Sequence, residues 1–435
     1  MKSKRNWLST LPMLMIILVL AACGGNSNEG NANNNEGEGN DEDEEVTLTY
    51  ARGVDTTGAT EVLTEAFEEE HPNINIEFQE MPSDSGDQHD QYVTAFSADS
   101  AEIDVFDADV IWPAEFAQAD YAMDLDRFIE EDDIDMDEYF PGPVEAGNFK
   151  GKQWAMPKFI DAGVLFYRTD IVDDPPETWD ELIDSAEDLQ GEEGTDFGYL
   201  MQGNQYEGLV TNAIEFIGGY GGEVIDEEEN VVVDSPETVT AIEKMQEIAE
   251  SDFVPDDILN FTEIETESSF IEGEAVYARN WPYLQASSED DDKSEVAGDV
   301  DFTTIPAGDD TSASALGGWM SMINKNTEHP KEAWEFVKFM TGEEGQKITA
   351  IEGGSPPTLS DLYDDEEVKD EGGVLFSDPD FVDVLENATP RPVSSIYPEI
   401  SDIMQIELSK ALAGEISAEE AASNMQEKME DALEE

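Results

Sequence analysis

"VTLTYARGVDTTGATEVLTEAFEEEHPNINIEF", residues 46–78, is the stretch whose reading decides the fold. Its opening VTLTY alternates apolar and polar residues at the two-residue period of a strand. The run TEVLTEAFEEEHP then places Val62, Leu63, Ala66 and Phe67 on one face at helical spacing, and NINIEF returns to alternation. The segment reads as strand, helix, strand.

The same alternation continues outward. A helix is expected at residues 91–98, a short apolar strand at 103–106 and another at 110–111. A second block opens with AGVLFYR at 162–168. Behind it, ETWDELIDSAEDL sets Thr178 and Glu181 at the spacing of a capping box, and Ser235 followed by Pro236 starts a further helix. Strand-like segments recur at 197–201, 231–233, 275–278 and 302–305. The C-terminal stretch loses this pattern and reads as helices, with Ile396, Ile400, Ile403, Ile406 and Ile416 marking the buried faces. Strands alternating with helices predict an α/β protein with parallel pairing. A length of 435 residues exceeds what one core usually organises, so two lobes sharing a ligand crevice are expected.

The charge is unusual. Asp and Glu number 106 against 20 Lys and Arg, a net −86 spread along the whole chain. Such a surface repels nucleic acid. Its self-repulsion costs stability at ordinary ionic strength and is largely screened near 1 M salt, where the Debye length is about 3 Å, so the composition points to a salt-loving host. With 39% hydrophobic residues and a mean hydropathy of −0.48, the chain has the composition of a soluble globular protein.

Residues 1–22 carry the marks of a leader. Lys2, Lys4 and Arg5 precede the apolar run LPMLMIILVL, which is too short to span a bilayer. The following LAAC resembles the lipobox of bacterial lipoproteins, which implies a diacylated Cys23, the one cysteine of the chain. Residues 24–45, GGNSNEGNANNNEGEGNDEDEE, then read as a flexible tether with a root-mean-square span of roughly 26 Å.

Catalysis has little to work with. His71, His89 and His329 lie apart, and the chain has no phosphate-cradling glycine loop followed by Lys and Ser or Thr, no G-x-S-x-G elbow and no paired-histidine metal motif. GGYGG at 218–222 reads as a turn. DDIDMDEY at 132–139 fails as a calcium loop, because Glu138 stands where glycine is needed and Val144 where the bidentate Glu belongs. No cofactor and no metal are expected.

The tryptophans are more informative. Trp112 precedes Pro113, Trp281 precedes Pro282, Trp319 follows Gly317 and Gly318, and Trp154 also lies outside regular elements. Proline or glycine beside a tryptophan places a rigid ring at a loop or strand end, where a ligand can approach. Trp179 and Trp334 read as packing residues. Pyranose rings stack their C–H faces on such rings, and their hydroxyls seek charged partners.

Several separated blocks agree with one pattern: the LAAC tether, EEEHPNINIEF, DVFDADVIWPAEFAQADYAMDLDRF, MPKFIDAGVLFYRTDIV followed by PPETWDELI, FIEGEAVYARNWPY, and ALGGWMSMINKNTEHPKEAWEFVKFM. In their order and spacing these resemble the extracellular solute-binding proteins of carbohydrate ABC importers, nearest the trehalose/maltose-binding branch, from about Val46 to the C-terminus. The resemblance implies a two-lobed periplasmic-binding-protein-like fold of type II, each lobe a sheet flanked by helices, with a hinge between them. One lobe would hold residues 46–163 plus 302–354, the other 164–301 plus 355–435. It implies a cleft formed by Asp109, Asp161, Trp281, Tyr283, Gly318, Trp319 and Arg391, to which the proline-flanked Trp112 is added as a ligand-binding residue from its loop context. Trp281, Tyr283 and Trp319 would stack on the sugar, Asp109 and Asp161 would accept hydroxyl hydrogen bonds, and Arg391 would donate to sugar oxygens. Asp55 matches an acidic ligand position, although Arg52 or Thr56 would serve equally, and Phe159 stands where relatives can carry a hydrogen-bonding aromatic. The implied protein is a non-enzymatic monomer, lipid-anchored at the outer face of the cell membrane, with a sugar ligand and permease subunits as partners. Two other classes stay open: a receptor for a quaternary ammonium osmolyte, which a tryptophan cage also suits, and an anchored glycoside hydrolase.

Overall fold

Val46, Leu48 and Tyr50 are buried in β1 (Val46–Arg52) and alternate with less buried neighbours, as VTLTY predicts. The computed structural model describes residues 45–434 except 56, 83–84, 227–229, 291–292, 310 and 373; the leader, Cys23 and nearly all of the tether lie outside the described residues. The helix Ala59–Glu70 buries Leu63 and Phe67 but leaves Val62 exposed, so the apolar stripe is narrower than its sequence suggests. β2 (Ile74–Glu80) then pairs in parallel with β1, with Val46 opposite Ile74.

β3 (Val105–Asp109) pairs in parallel with the other edge of β1, and all five of its residues are buried. Of the two strands expected at 103–106 and 110–111, only the first forms, displaced to 105–109, and Val110 and Ile111 lie in a turn. Asp109 stops the strand: its Oδ1 accepts from the Ile111 amide and its carbonyl from the Trp112 amide, turning the chain into the helix Pro113–Gln118. The expected helix at 91–98 begins earlier, as Ser85–Phe96.

A small hairpin, β4 (Asn148–Phe149) with β5 (Lys152–Gln153), precedes β6 (Met156–Ala162) and β7 (Val164–Arg168). The remaining strands are β8 (Phe197–Leu200), β9 (Ala275–Asn280), β10 (Val300–Thr303) and β11 (Leu316–Ile323). They form two main sheets, ordered β2-β1-β3-β11-β6 and β10-β7-β9-β8. β11 runs antiparallel between β3 and β6, and in the second sheet only β8 and β9 are parallel. Residues 231–233 make no strand, only the bridge of Ile225 to Val231.

The chain passes between the sheets at identifiable places. Gly163 alone separates β6 from β7. The return runs from β10 to β11, later than residue 302, because Phe302 and Thr303 still pair with Phe166 and Leu165. A third segment lies beside the return: the Thr389 amide donates to the Ser314 carbonyl at 2.6 Å and the Leu316 amide to the Thr389 carbonyl at 2.7 Å. The segment after residue 354 also stays near the first sheet at first, since the Pro356 carbonyl accepts from the Ile160 amide at 3.0 Å.

The helices Tyr397–Leu412 and Ala418–Glu434 pack against Glu207–Gly219 and Pro236–Ala249. The first buries Ile400, Met404, Leu408 and Ala411 and the second Ala421, Ala422, Met425 and Met429, whereas Ile406 is exposed. Thr178 caps the helix Trp179–Leu189 by accepting from the Glu181 amide, but the Glu181 carboxylate returns to the Glu177 amide. The complete reciprocal box is instead at Thr262 and Glu265, and Ser235 caps its helix as expected. Among the described residues no helix is long and apolar enough to cross a membrane, and no group of His, Cys, Asp or Glu is arranged to hold a metal ion.

Candidate functional site

β11 is the spine of the site. Gly317, Gly318 and Trp319 stand opposite Asp161, Ile160 and Phe159 of β6, and Trp319 also stands opposite Asp109 of β3. Residues paired across a ladder share a face, as do residues two apart along a strand. Asp161, Gly317, Trp319 and Asp109 therefore look out from one side of the first sheet. β1 and β3 also end here, and the carboxyl ends of parallel strands are where open α/β sheets hold ligands.

Trp281 reaches this face from the other sheet, one residue beyond β9. A Cβ at Gly317 would lie 2.7 Å from Trp281 Cζ3 and 2.9 Å from Cη2, so only glycine admits the indole. Gly318 has φ +112°, and a Cβ there would stand 2.3 Å from the Phe159 carbonyl oxygen, which bars any other residue. Trp281 and Trp319 stay half-buried, and Tyr283, also half-buried, sits just beyond Trp281.

Trp112 behaves differently. It is buried at 3% exposure and meets Trp319 edge-on, with ring centroids 5.5 Å apart at 86°. Its neighbours His89, Tyr92 and Phe116 complete an aromatic core. Trp112 thus braces Trp319 instead of lining the cleft. Trp154 also packs away from the site, donating its Nε1 to the Phe149 carbonyl.

The carboxylates separate by partner. Asp161 has no hydrogen-bonding partner among the described residues. Burial pushes its carboxyl up to about 8, Arg279 pulls against this, and the Asp109 charge adds to it. Asp109 is buried and held by Arg391, whose Nη2 donates to its Oδ1 at 3.0 Å. Arg391 Nη1 donates to Glu207 Oε1 at 2.7 Å, and Glu207 also accepts from Tyr397 and Ser401. Both terminal nitrogens of Arg391 are thus engaged within the protein, and its Nε is buried without a partner among the described residues. Asp55 is a helix cap. It accepts from the amides of Thr57, Gly58 and Thr60 and from the Thr57 hydroxyl. Burial opposes its ionisation, but the hydrogen bonds from Thr60 and Thr57 outweigh this and hold it well below the usual carboxylate range. Arg52 lies beside it, donating to Thr60.

Several contributors escaped sequence reasoning. Glu263 Oε1 accepts from Trp281 Nε1 at 3.4 Å, and its Oε2 accepts from the Tyr206 hydroxyl at 2.6 Å. Arg279 lies under the indole, its Cζ 4.3 Å from the ring centroid. Arg279 was visible two residues before Trp281 in YARNWPY; Glu207 and Glu263 were two acids among 106. A cavity of about 540 Å³ lies elsewhere, beside Gln79, Met81 and the helix Ser85–Phe96. Its walls carry Asp87, Asp90 and Glu102 and no aromatic ring, so the half-buried Trp281 and Trp319 are the better guide to a ligand than this volume.

Residues 52–347 match the bacterial extracellular solute-binding protein family. The chain belongs to that family. This solute-binding protein is 33% identical over 344 residues to a probable ABC transporter-binding protein of Deinococcus radiodurans, covering 75% of this chain and 79% of the relative. It is 27% identical over 308 residues to a maltotriose-binding protein of Pyrococcus abyssi, covering 69% of this chain and 63% of that one. Among solved structures, maltose-bound T. maritima MalE3 matches with TM-score 0.83 and 34% identity over 89% of this chain and all of that one. The GacH receptor of Streptomyces glaucescens matches in fold alone, with TM-score 0.78 at 22% identity over 90% of this chain and 99% of that one. The two-lobed architecture of these binding proteins is the architecture of this solute-binding protein, and the family is one of binding proteins, not of enzymes.

Proposed function

We propose that this solute-binding protein is the lipid-anchored receptor of a carbohydrate ABC importer, capturing an oligosaccharide, a disaccharide such as trehalose or maltose, between its lobes and presenting it to the permease. The carrying observation is the pair of half-exposed tryptophans, Trp281 and Trp319, set around the Gly317–Gly318 step beside an unpartnered Asp161. Two rings offer stacking faces, and a carboxyl without a protein partner is free for sugar hydroxyls. Maltose bound to the 34% identical MalE3 supports the same ligand class.

Asp161 and the free oxygen of Asp109 accept from the sugar, while Arg391 orders Asp109 and Glu207 instead of donating to the ligand. The lobes close about the crossings at Gly163, the β10-to-β11 segment and the segment at Thr389, and the closed state is what the permease reads. Cys23 fixes the monomeric receptor to the outer face of the membrane of a salt-loving cell. A quaternary ammonium ligand is disfavoured, because the Trp281 ring already carries the Arg279 cation.

Titration calorimetry in high salt with trehalose, maltose, maltotriose, sucrose and glycine betaine tests the reading. Heat with a glucose disaccharide is expected; heat with betaine alone overturns it. Free glucose appearing during incubation with maltose or trehalose would favour a hydrolase.

A further inference from the structure

Arg279 lies in β9 with no exposure, and all three of its guanidinium nitrogens donate hydrogen bonds. Nε donates to Glu215 Oε2 at 2.9 Å, Nη2 donates to Oε1 of the same carboxylate, and Nη1 donates to Gln202 Oε1 at 3.2 Å. Its flat side meets the Trp281 ring 4.3 Å from the centroid. A planar, bidentate cation can do all of this at once; a lysine cannot.

Glu215 continues the chain of contacts to the crossings between the sheets. Its Oε1 also accepts from the Ala315 amide at 3.3 Å, in the segment that returns to β11. Gly163, the single residue between β6 and β7, comes so close that a Cβ there would lie 2.0 Å from Glu215 Oε1 and 2.5 Å from Arg279 Nη2. The Ser314 hydroxyl donates to the Gly163 carbonyl at 2.6 Å, and the Ser314 carbonyl accepts from the third segment at Thr389. One buried ion pair therefore touches the crossings on one side and the indole on the other.

We infer that Arg279 is a positioning residue, locked by Glu215 to the crossings at Gly163 and Ala315, that sets the angle of the Trp281 ring as the lobes move. The inference rests on Trp281 being the stacking platform proposed above. The physical reason is stiffness: Glu215 and Arg279 are fully buried with bidentate geometry, so a rotation at Gly163 or Ala315 cannot be absorbed by rotamer changes and passes to the stacked ring. A pair serving stability alone would not need its cation laid against a half-exposed ring.

The test is a double-mutant cycle read as disaccharide affinity. Arg279→Lys and Trp281→Leu each weaken binding by about tenfold, and together they weaken it no more than Trp281→Leu alone. The part of the sugar-induced tryptophan emission change that Trp281→Leu removes is also missing in Arg279→Lys. Losses that multiply in the double variant, or an unchanged emission response in Arg279→Lys, overturn the inference while leaving sugar binding intact. Wild-type protein that gives no heat with any sugar defeats the functional reading itself, and this inference with it. Because Arg279 is buried, a second arm uses only the surface change. Sugar slows exchange of the Ala315 amide in the wild type and does not in sugar-saturated Trp281→Leu; equal protection in both overturns the inference even if Arg279→Lys does not fold.

Discussion

Arg391 Nη2 donates to Asp109 Oδ1 at 3.0 Å, tying the end of a first-sheet strand to a residue 282 positions later in the chain. The same guanidinium holds Glu207 at 2.7 Å, so one cation is shared between two acids from distant segments. Removing one partner of such a cluster leaves uncompensated charge in a poorly solvated place. Arg391→Met is therefore expected to destabilise the protein by about 3–5 kcal/mol. Adding Asp109→Asn should recover part of the loss, and chemical denaturation of the three proteins measures it.

Gly317→Ala separates site geometry from stability. The added methyl would meet the Trp281 ring at 2.7 Å and Asp161 Cβ at 3.2 Å, and the ring, half-exposed, is the group that yields. Sugar affinity should fall by roughly tenfold or more, in line with coupling between groups in contact. The melting temperature should change by no more than a few degrees, read by calorimetric titration and a thermal scan. Unchanged affinity would place Trp281 outside the ligand's reach.

Asp161 predicts a pH dependence. Its carboxyl rises from an ordinary 3.8 to about 8 because it is buried. Between these values the unfolded chain has released the proton and the folded protein still holds it. Stability of the ligand-free protein therefore falls as pH rises through this window and levels off above it. Asp161→Asn should remove that slope, so the melting temperature of the wild type declines relative to the variant from pH 5 to pH 8. Parallel curves would show that Asp161 ionises as an ordinary surface carboxylate.

The charge of −86 predicts a strong response to salt. Raising KCl from 0.1 M to 2 M shortens the Debye length from about 10 Å to under about 3 Å and screens repulsion among acids along the whole surface. The melting temperature should climb by at least about 5 °C, a shift of a few kcal/mol for a large domain. A flat or falling curve would remove the salt-loving host from the reading.

Cys23→Ser should release the protein into the medium with its sugar affinity unchanged, since residues 24–45 separate the attachment point from β1. Fractionation by immunoblot and titration of the secreted form check both halves. Retention in the membrane fraction would argue against a lipid anchor at this cysteine.

Local order was legible where periodicity carries it. The strand, helix and strand of residues 46–80 and the cap at Ser235 follow from spacing alone, because alternation and capping are set by neighbours a few residues apart. Composition similarly settled the acidic surface, and the resemblance of ordered blocks brought Asp161, Gly318, Trp281 and Trp319 to notice. Spacing could not say that Val110 and Ile111 leave the strand, since the stop comes from the Asp109 side chain. Nor could it rank the acids. Asp55 and Asp161 look alike in sequence, yet one caps a helix with both oxygens and the other has no protein partner among the described residues. Trp112 and Trp319 each stand beside a Pro or Gly, yet one is buried bracing for the other. These distinctions depend on partners such as Arg391 and Glu207, 184 residues apart. Burial and pairing of that kind exist only once the crossings between the sheets have brought distant segments together, and so the tertiary structure alone decided them.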